Sequence, residues 1–204
     1  MNYKIIVEIN GIMIETLSDI LPSDYSELNI LIIAKVPALI SVQEGHYFQG
    51  KQGKMLWKML KQYNILNVPA GEYEDEHLLL NNYGITDIVK VPRDFGNEPS
   101  EEEYKEGLER IEKYIITYKP KILFFVYKKV LDKILRHSFK RKIKSSYGFN
   151  SELTKLFNTM VFVFPMPGTP CTRENAKLSM LSLKKEIVKF NISSNLNKNI
   201  ESNL

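Results

Sequence analysis

Residues 119–134 read KPKILFFVYKKVLDKI, a short apolar run followed by a stretch with helical periodicity. A continuous apolar run of this length is typical of a strand that is buried on both faces of a parallel sheet. Apolar residues between Val130 and Leu135 then recur on one side of a helix, while lysines occupy the other side. The segment therefore predicts a strand–helix unit of an α/β fold.

Two more apolar runs have the same character, NILIIA at residues 29–34 and MVFVF at residues 160–164. Amphipathic helices are predicted between and after them, and one begins at Ser100, where Glu103 completes a capping box. Buried strands that alternate with such helices predict a three-layer α/β/α domain with a mainly parallel central sheet. In such folds the functional residues lie at the carboxyl ends of the strands.

The N-terminal residues predict a separate β-hairpin. Two β-rich runs, 4–9 and 12–17, flank the dipeptide Asn10-Gly11. This dipeptide favours a type I′ turn, because both of its residues tolerate positive φ.

The chain is expected to form one domain over residues 1–190, with residues 1–17 as the hairpin extension. A last helix is predicted from Thr172 to about residue 190. Residues 191–204 are rich in Asn and Ser, and this composition predicts a flexible tail.

Composition excludes several classes of protein. The chain has 204 residues, of which 44% are hydrophobic and 25% charged, and no apolar run approaches the roughly 18 residues that a membrane span requires. A single cysteine excludes an internal disulfide and favours a cytoplasmic location. With only three histidines besides, a zinc site is not expected, nor is any other metal or cofactor. We expect a monomer.

Charge is unevenly distributed along the chain. The net charge is only +4, but Lys and Arg dominate residues 128–144, which contain a single Asp. A local basic stripe is the electrostatic footprint of a nucleic-acid-binding protein. The same pattern also describes a solvated helix face in a lysine-rich protein, so both interpretations stay open.

Residues 45–51 read GHYFQGK and match the first seven positions of a phosphate-binding P-loop. The next residue is Gln52, where Ser or Thr would hold magnesium, and the preceding predicted strand ends near Ala34. A P-loop runs directly from strand to helix so that its amides converge on the phosphates. The spacing therefore argues against nucleotide hydrolysis.

The same region fits another pattern. A predicted strand runs into AKVPAL at residues 34–39, then GHYFQG at 45–50 and LWKML at 56–60. This succession resembles the uracil-DNA glycosylase superfamily, in its mismatch-specific and thymine-DNA glycosylase branch. There the motifs are G-I-N-P-G-L, G-H-x-[YF]-x-G and F-W-K-x-L.

The resemblance continues downstream and covers about residues 16–190. YGITDIV at residues 83–89 is similar to the family segment Y-G-I-G-x-T-N-x-V in shortened form, and MPGTPCTR at 166–173 is similar to the second motif M-P-S-S-S-A-R. The resemblance implies base excision from DNA, with a damaged or mismatched nucleotide of uracil, thymine or hypoxanthine type flipped out of the duplex into a pocket.

The resemblance also implies roles for individual residues. Phe48 would stack on the flipped base, in a pocket completed by Val36, Pro37 and Met166. A DNA-contacting surface would comprise Gln49, Lys51, Lys54, Gly168, Thr169, Thr172 and Arg173. Each role has a structural alternative: Phe48 as an ordinary core aromatic, the polar side chains as solvated surface, and Thr172 as the cap of the last helix.

Val36 is the main departure from the family pattern. In this branch the position is an asparagine that orients the water attacking the sugar, and valine has no hydrogen-bonding group. Asp87, where the family segment carries asparagine, and His46 are the candidate catalytic substitutes. Their structural alternatives are a loop-capping aspartate and a structural histidine.

Three functions are compatible with these residues. The first is a DNA glycosylase, and the second is a non-catalytic DNA-binding or lesion-sensing protein on the same scaffold, which the loss of the asparagine favours. The third is a small-molecule hydrolase or binding protein unrelated to DNA, for which the mild net charge leaves room.

Overall fold

The computed structural model describes residues 1–94, 96–137, 139–140 and 143–201, and of 137 and 193–201 the backbone alone. Parts of two predicted features, the basic segment at 138, 141 and 142 and the tail at 202–204, lie outside the described residues. In chain order, the strands and helices are β1 (Lys4–Ile9), β2 (Ile12–Leu17), β3 (Ile30–Ala34), α1 (Leu39–Glu44), α2 (Lys51–Gln62), β4 (Tyr83–Asp87), α3 (Glu101–Tyr118), β5 (Ile122–Phe125), α4 (Lys128–His137), β6 (Gly148–Phe149), α5 (Ser151–Phe157), β7 (Met160–Val163) and α6 (Arg173–Glu201).

A five-stranded sheet in the order β4-β3-β5-β7-β6 forms the centre of the molecule. The first four strands are parallel, and the two-residue β6 pairs antiparallel to β7. Side chains of a strand point alternately to its two faces. Phe124 therefore packs into one core with Trp57, while Phe125 packs into the other with Tyr104. The predicted α/β fold with a mainly parallel central sheet is confirmed.

Helix α3 begins where the sequence predicts, because the capping box of Ser100 and Glu103 forms. The Ser100 hydroxyl accepts from the Glu103 amide at 3.2 Å, and the Glu103 carboxylate accepts from the Ser100 amide at 2.8 Å. These two bonds satisfy backbone donors that a helix start leaves unpaired. The helix ends before Pro120, which cannot donate a backbone hydrogen bond.

The N-terminal hairpin forms as predicted, with Asn10 and Gly11 at φ +53° and +77°. It is a separate two-stranded sheet that is tied to the domain at its base. The Thr16 hydroxyl donates to the Lys90 carbonyl at 2.6 Å, and the Lys90 ammonium donates to the Leu17 carbonyl at 2.9 Å. The hairpin is thereby anchored to the segment that follows β4.

Helix α6 is longer than the sequence predicts. It was expected to end near residue 190, but it continues to Glu201. Asn and Ser cost only a few tenths of a kcal/mol each in a helix, and extending an existing helix needs no new nucleus. The predicted flexibility of this C-terminal segment stays a prediction. Within the described part of the chain, no helix has the length and apolar character needed to cross a bilayer.

Candidate active site

A cavity of about 1540 Å³ lies at the carboxyl end of the parallel sheet. The segments that follow four neighbouring strands all reach it: Val36 after β3, Asp87 at the end of β4, Tyr127 after β5 and Met166 after β7. Carboxyl ends of parallel strands meet at one edge of a sheet, which is why segments far apart in sequence converge there. The sequence-predicted residues Val36, Phe48, Asp87 and Met166 thus line one cavity.

The loop after β3 is held against the continuation of β4. The Lys35 carbonyl accepts from the Val89 amide at 3.0 Å, and the Pro37 carbonyl accepts from the Arg93 amide at 3.1 Å. Val36 is half-buried between these anchors and presents only methyl groups to the cavity. This part of the wall therefore offers apolar contact and no side-chain hydrogen bond.

Phe48 reaches the cavity from the loop between α1 and α2, with an unusual backbone. Its φ is +59°, a left-handed conformation that costs a non-glycine residue roughly 1–2 kcal/mol. Its ring lies edge-on to Trp57, with 5.6 Å between the ring centroids. Gly53 of α2 packs directly beneath it, because a Cβ at this position would lie 2.5 Å from the Phe48 backbone. Helix α2 therefore packs against both the ring of Phe48, through Trp57, and its backbone, through Gly53.

Asp87 is a buried carboxyl that borders the cavity. Asp87 is only 1% exposed, and its Oδ2 has no hydrogen-bond partner among the described residues. Burial raises the Asp87 pKa from 3.8 to about 7, with a further upward contribution from Asp19, against the opposing effects of Lys90, Arg110 and the Tyr47 phenol. The carboxyl is thereby brought close to neutral pH, the range in which a proton acceptor is effective.

Helix α3 supports Asp87 from behind the sheet. The Arg110 guanidinium donates to the Asp87 carbonyl at 2.5 Å and to the Ile88 carbonyl at 3.1 Å. Gly107, one turn earlier, allows this close approach, because a Cβ there would lie 1.9 Å from the Ile88 carbonyl oxygen. The strand end that carries Asp87 is thereby fixed by a cation.

Tyr127 lines the cavity but was not among the sequence-predicted site residues. It lies two residues after the end of β5, and burial together with the charge of Asp87 raises its pKa to about 12. The phenol is therefore neutral at physiological pH and lines the same cavity as Asp87. Its position after a predicted parallel strand was the feature that could have revealed it.

The loop after β7 presents small polar groups to the cavity. Gly168 has φ +86°, and the Thr169 amide and hydroxyl both donate to the Met166 carbonyl, at 3.2 and 2.6 Å. Thr172 and Arg173 are exposed and do not line the cavity. The Thr172 hydroxyl instead accepts from the Asn175 amide at 3.2 Å, so Thr172 caps α6 as its structural alternative predicts.

Basic side chains outnumber acidic ones around the mouth of the cavity. We call six of them the basic rim: Lys35, Lys51, Arg93, Lys128, Lys129 and Lys144. Lys35 and Lys128 pair with Glu98 and Asp132, at 3.1 and 2.6 Å, and Arg93 pairs with Glu103. Within the described residues, the other three lysines of the basic rim form no ion pair, so the mouth carries a net positive charge.

The family assignment follows from a comparison with models of known protein families. Residues 22–188 match the model of the uracil DNA glycosylase superfamily. The chain belongs to this superfamily. The matched range includes every strand of the central sheet and every segment that lines the cavity from Lys35 to Ser179. A comparison with curated proteins finds no match. The resemblance is thereby confirmed at the level of the superfamily.

Within this glycosylase-superfamily fold, His46 does not reach the cavity, although it was a catalytic candidate. It is 5% exposed, its Nδ1 lies 2.9 Å from Asp75 Oδ1, and its ring stacks on Tyr73 with 3.5 Å between centroids. The loop turns between His46 and Phe48, so that Phe48 enters the cavity while His46 packs behind it. The structural alternative for His46 matches this placement.

Gln49 and Lys54 also lie outside the cavity. They border a second cleft of about 430 Å³ beside α2, together with Lys58 and Lys61. Lys51, at the start of the same helix, does line the main cavity. Among the described residues, no group of three or more His, Cys, Asp or Glu side chains is placed to bind a metal ion.

Proposed function

We propose that this protein is a DNA glycosylase of base excision repair. It would hydrolyse the N-glycosidic bond of a flipped damaged or mismatched base of uracil, thymine or hypoxanthine type. Superfamily membership supports the reaction class. The observation that carries the proposal is Asp87, which borders the same cavity as Phe48 and has a buried carboxylate oxygen, Oδ2, with no hydrogen-bond partner among the described residues.

The cavity has the composition that a flipped base requires. Phe48 supplies an aromatic ring, and stacking of a base on such a ring contributes about 1–3 kcal/mol. That energy offsets much of the few kcal/mol needed to extrude a nucleotide. Val36, Pro37 and Met166 would enclose the base with apolar contacts, and Tyr127 adds a neutral phenol to the lining of the same cavity.

Asp87 would take the role that Val36 cannot perform. Its carboxylate would orient a water molecule towards the sugar C1′ and accept a proton from it. The water oxygen bonds to C1′, the bond between C1′ and the base nitrogen breaks, and the base leaves with the bonding electrons before it is protonated. The developing positive charge on the sugar is stabilised by the same carboxylate.

The basic rim would bind the phosphates on both sides of the flipped nucleotide. Lys51, Lys129 and Lys144 all line the cavity and form no ion pair within the described residues. Gly168 and Thr169 would approach the DNA backbone, with Thr172, Arg173, Gln49 and Lys54 further out. We further propose that the protein acts as a cytoplasmic monomer on duplex DNA.

The test is an assay for abasic sites. The protein is incubated with duplexes that carry uracil, hypoxanthine or a G·T mismatch, and alkali then cleaves the strand wherever a base has been released. We expect cleavage with the wild type and with Asp24→Asn, an exposed carboxyl that does not line the cavity, and cleavage slower by about 10²–10⁴-fold with Asp87→Asn. Salt-dependent duplex binding without any abasic product would instead favour the non-catalytic alternative. Absence of duplex binding at low salt would overturn both the glycosylase function and the non-catalytic DNA-binding alternative.

A further inference from the structure

Asp75 lies 27 residues beyond Phe48 in sequence, yet its carboxylate holds the backbone that leads into Phe48. It belongs to a short 3₁₀ helix, Glu74–His77, and is 1% exposed. One oxygen, Oδ1, lies 2.9 Å from His46 Nδ1, and the other, Oδ2, accepts from the Tyr47 amide at 2.7 Å. The two residues that immediately precede Phe48 are thus fixed by one buried side chain.

Phe48 needs such external support because its backbone conformation is unfavourable in isolation. At φ +59°, an aromatic residue would relax to negative φ unless its neighbours were held in place. Asp75 holds the preceding side. On the following side, the Gln49 amide donates to the Ser41 hydroxyl at 3.0 Å. The Trp57 indole donates to the Tyr47 carbonyl at 3.1 Å.

We infer that Asp75 is a positioning residue for base binding: its carboxylate bridges His46 and Tyr47 and thereby keeps the Phe48 ring in the cavity. Asp75 itself is remote from the reacting atoms and acts only through Phe48. The inference rests on the proposed function, because it treats Phe48 as the surface on which the flipped base stacks.

The first experiment measures the loop without any DNA. Trp57 is the single tryptophan of the chain and contacts both the Tyr47 carbonyl and the Phe48 ring, so its fluorescence reports on this loop. Asp75→Asn, which keeps one acceptor oxygen, should shift the Trp57 emission, and Asp75→Ala should shift it further. The matched control is Glu72→Gln, since Glu72 pairs with His77 at the surface and should leave the emission unchanged. An unchanged emission in Asp75→Asn would overturn the inference, even if the alanine variant does not fold.

The second experiment is a double-mutant cycle with Phe48→Leu, measured as base release at saturating and at low duplex concentration. Asp75→Asn should reduce base release at low duplex concentration about tenfold in the wild-type background, because base stacking is the interaction that it weakens. In the Phe48→Leu background the same change should have almost no effect, because the ring is already absent. Equal losses in both backgrounds would show that Asp75 stabilises the fold generally, and the inference would be wrong.

The two proposals can fail separately. If the wild type releases no base from any duplex, the proposed function fails. The double-mutant cycle is then performed on the binding of a duplex that carries 2-aminopurine. This base is fluorescent, and its emission falls when it stacks on a ring such as that of Phe48. A loss of that stacking in Asp75→Asn that disappears in the Phe48→Leu background would still support the positioning role. Equal stacking in Asp75→Asn and the wild type would exclude it.

Discussion

The 3₁₀ helix behind the Phe48 loop and the end of strand β4 each bury one aspartate, and both aspartates are 1% exposed. Asp75 has a partner for each carboxylate oxygen, His46 and the Tyr47 amide. Asp87 leaves Oδ2 without a partner among the described residues, and this oxygen belongs to a residue that borders the cavity. Burial raises the pKa of both carboxyls, but the hydrogen bonds to Asp75 oppose this effect. On the two proposals above, equally buried aspartates would have different roles: Asp75 would shape the loop, and Asp87 would stay available for chemistry.

Exchanging each aspartate for asparagine should separate the two roles most strongly in the rate of base release. We expect Asp87→Asn to lower the rate about 10²–10⁴-fold, the usual effect of losing a positioned proton acceptor. Asp75→Asn should lower it only about tenfold, through Phe48. The measurement is single-turnover cleavage of a uracil-containing duplex, and comparable losses in the two variants would contradict the distinction.

The pH dependence of base release should identify which of the two carboxylates acts as the base. Because the pKa of Asp87 is raised to about 7, the active carboxylate form becomes dominant only above neutral pH. The rate should increase about tenfold per pH unit below 7 and become constant above it. Asp75→Asn should retain this profile, whereas the residual activity of Asp87→Asn should lack it. An unchanged pH profile in Asp87→Asn would rule out Asp87 as the titrating group.

The free energy of unfolding at pH 8 should increase in Asp87→Asn and decrease in Asp75→Ala. In the folded protein the Asp87 pKa of about 7 exceeds its value in the unfolded chain, so the folded state binds more protons between about pH 4 and 7. Stability therefore falls as pH rises through this window, and Asp87→Asn should be more stable than the wild type at pH 8 by roughly 1–4 kcal/mol. This gain should disappear near pH 4.

Asp75→Ala should instead destabilise the protein by roughly 1–3 kcal/mol, because it leaves the buried Tyr47 amide and the His46 ring without their acceptor. Urea unfolding at pH 8 measures both effects. A loss of stability in Asp87→Asn at that pH would indicate that its carboxylate is structurally satisfied, as that of Asp75 is.

The smallest expected change in the rate of base release comes from adding a polar group at position 36, in the lining of the same cavity as Asp87. Val36→Asn places an amide on the apolar wall of the cavity and should raise base release up to about tenfold, since a second group would then orient the water. Its control is Val36→Leu, which changes volume without adding polarity. If the asparagine variant gains nothing while Asp87→Asn is inactive, Asp87 alone suffices for the reaction.

The sequence predicts the sheet and the location of the site well, for a physical reason. Apolar runs such as that of β5 mark parallel strands, and the ends of those strands must meet, so Val36, Asp87 and Met166 were expected to converge. Tyr127 follows from the same rule but was not identified, because no polar motif drew attention to it.

Other parts of the site depend on the path of individual loops, which sequence patterns do not determine. His46 lies two residues before Phe48 but packs against Asp75 and Tyr73 and does not line the cavity. The role of Asp75 could not be predicted, because the contact joins two irregular segments with no common periodicity. Arg173 was assigned to the DNA surface from its motif. The capping bond of Thr172 starts helix α6 there and leaves both residues outside the cavity, and their contact with DNA stays a prediction.

Gly107, in the interior of helix α3, affects the pKa of Asp87 through the position of Arg110. Glycine in a helix interior typically reduces stability by about 0.5–1 kcal/mol relative to alanine. Here the missing methyl group lets α3 approach Ile88, which brings the Arg110 guanidinium to the Asp87 carbonyl. A single added carbon at position 107, which is buried and does not line the cavity, would move that cation outward. If Asp87 is the proton acceptor, the pH required for base release would then shift upward without any change in the residues that line the cavity.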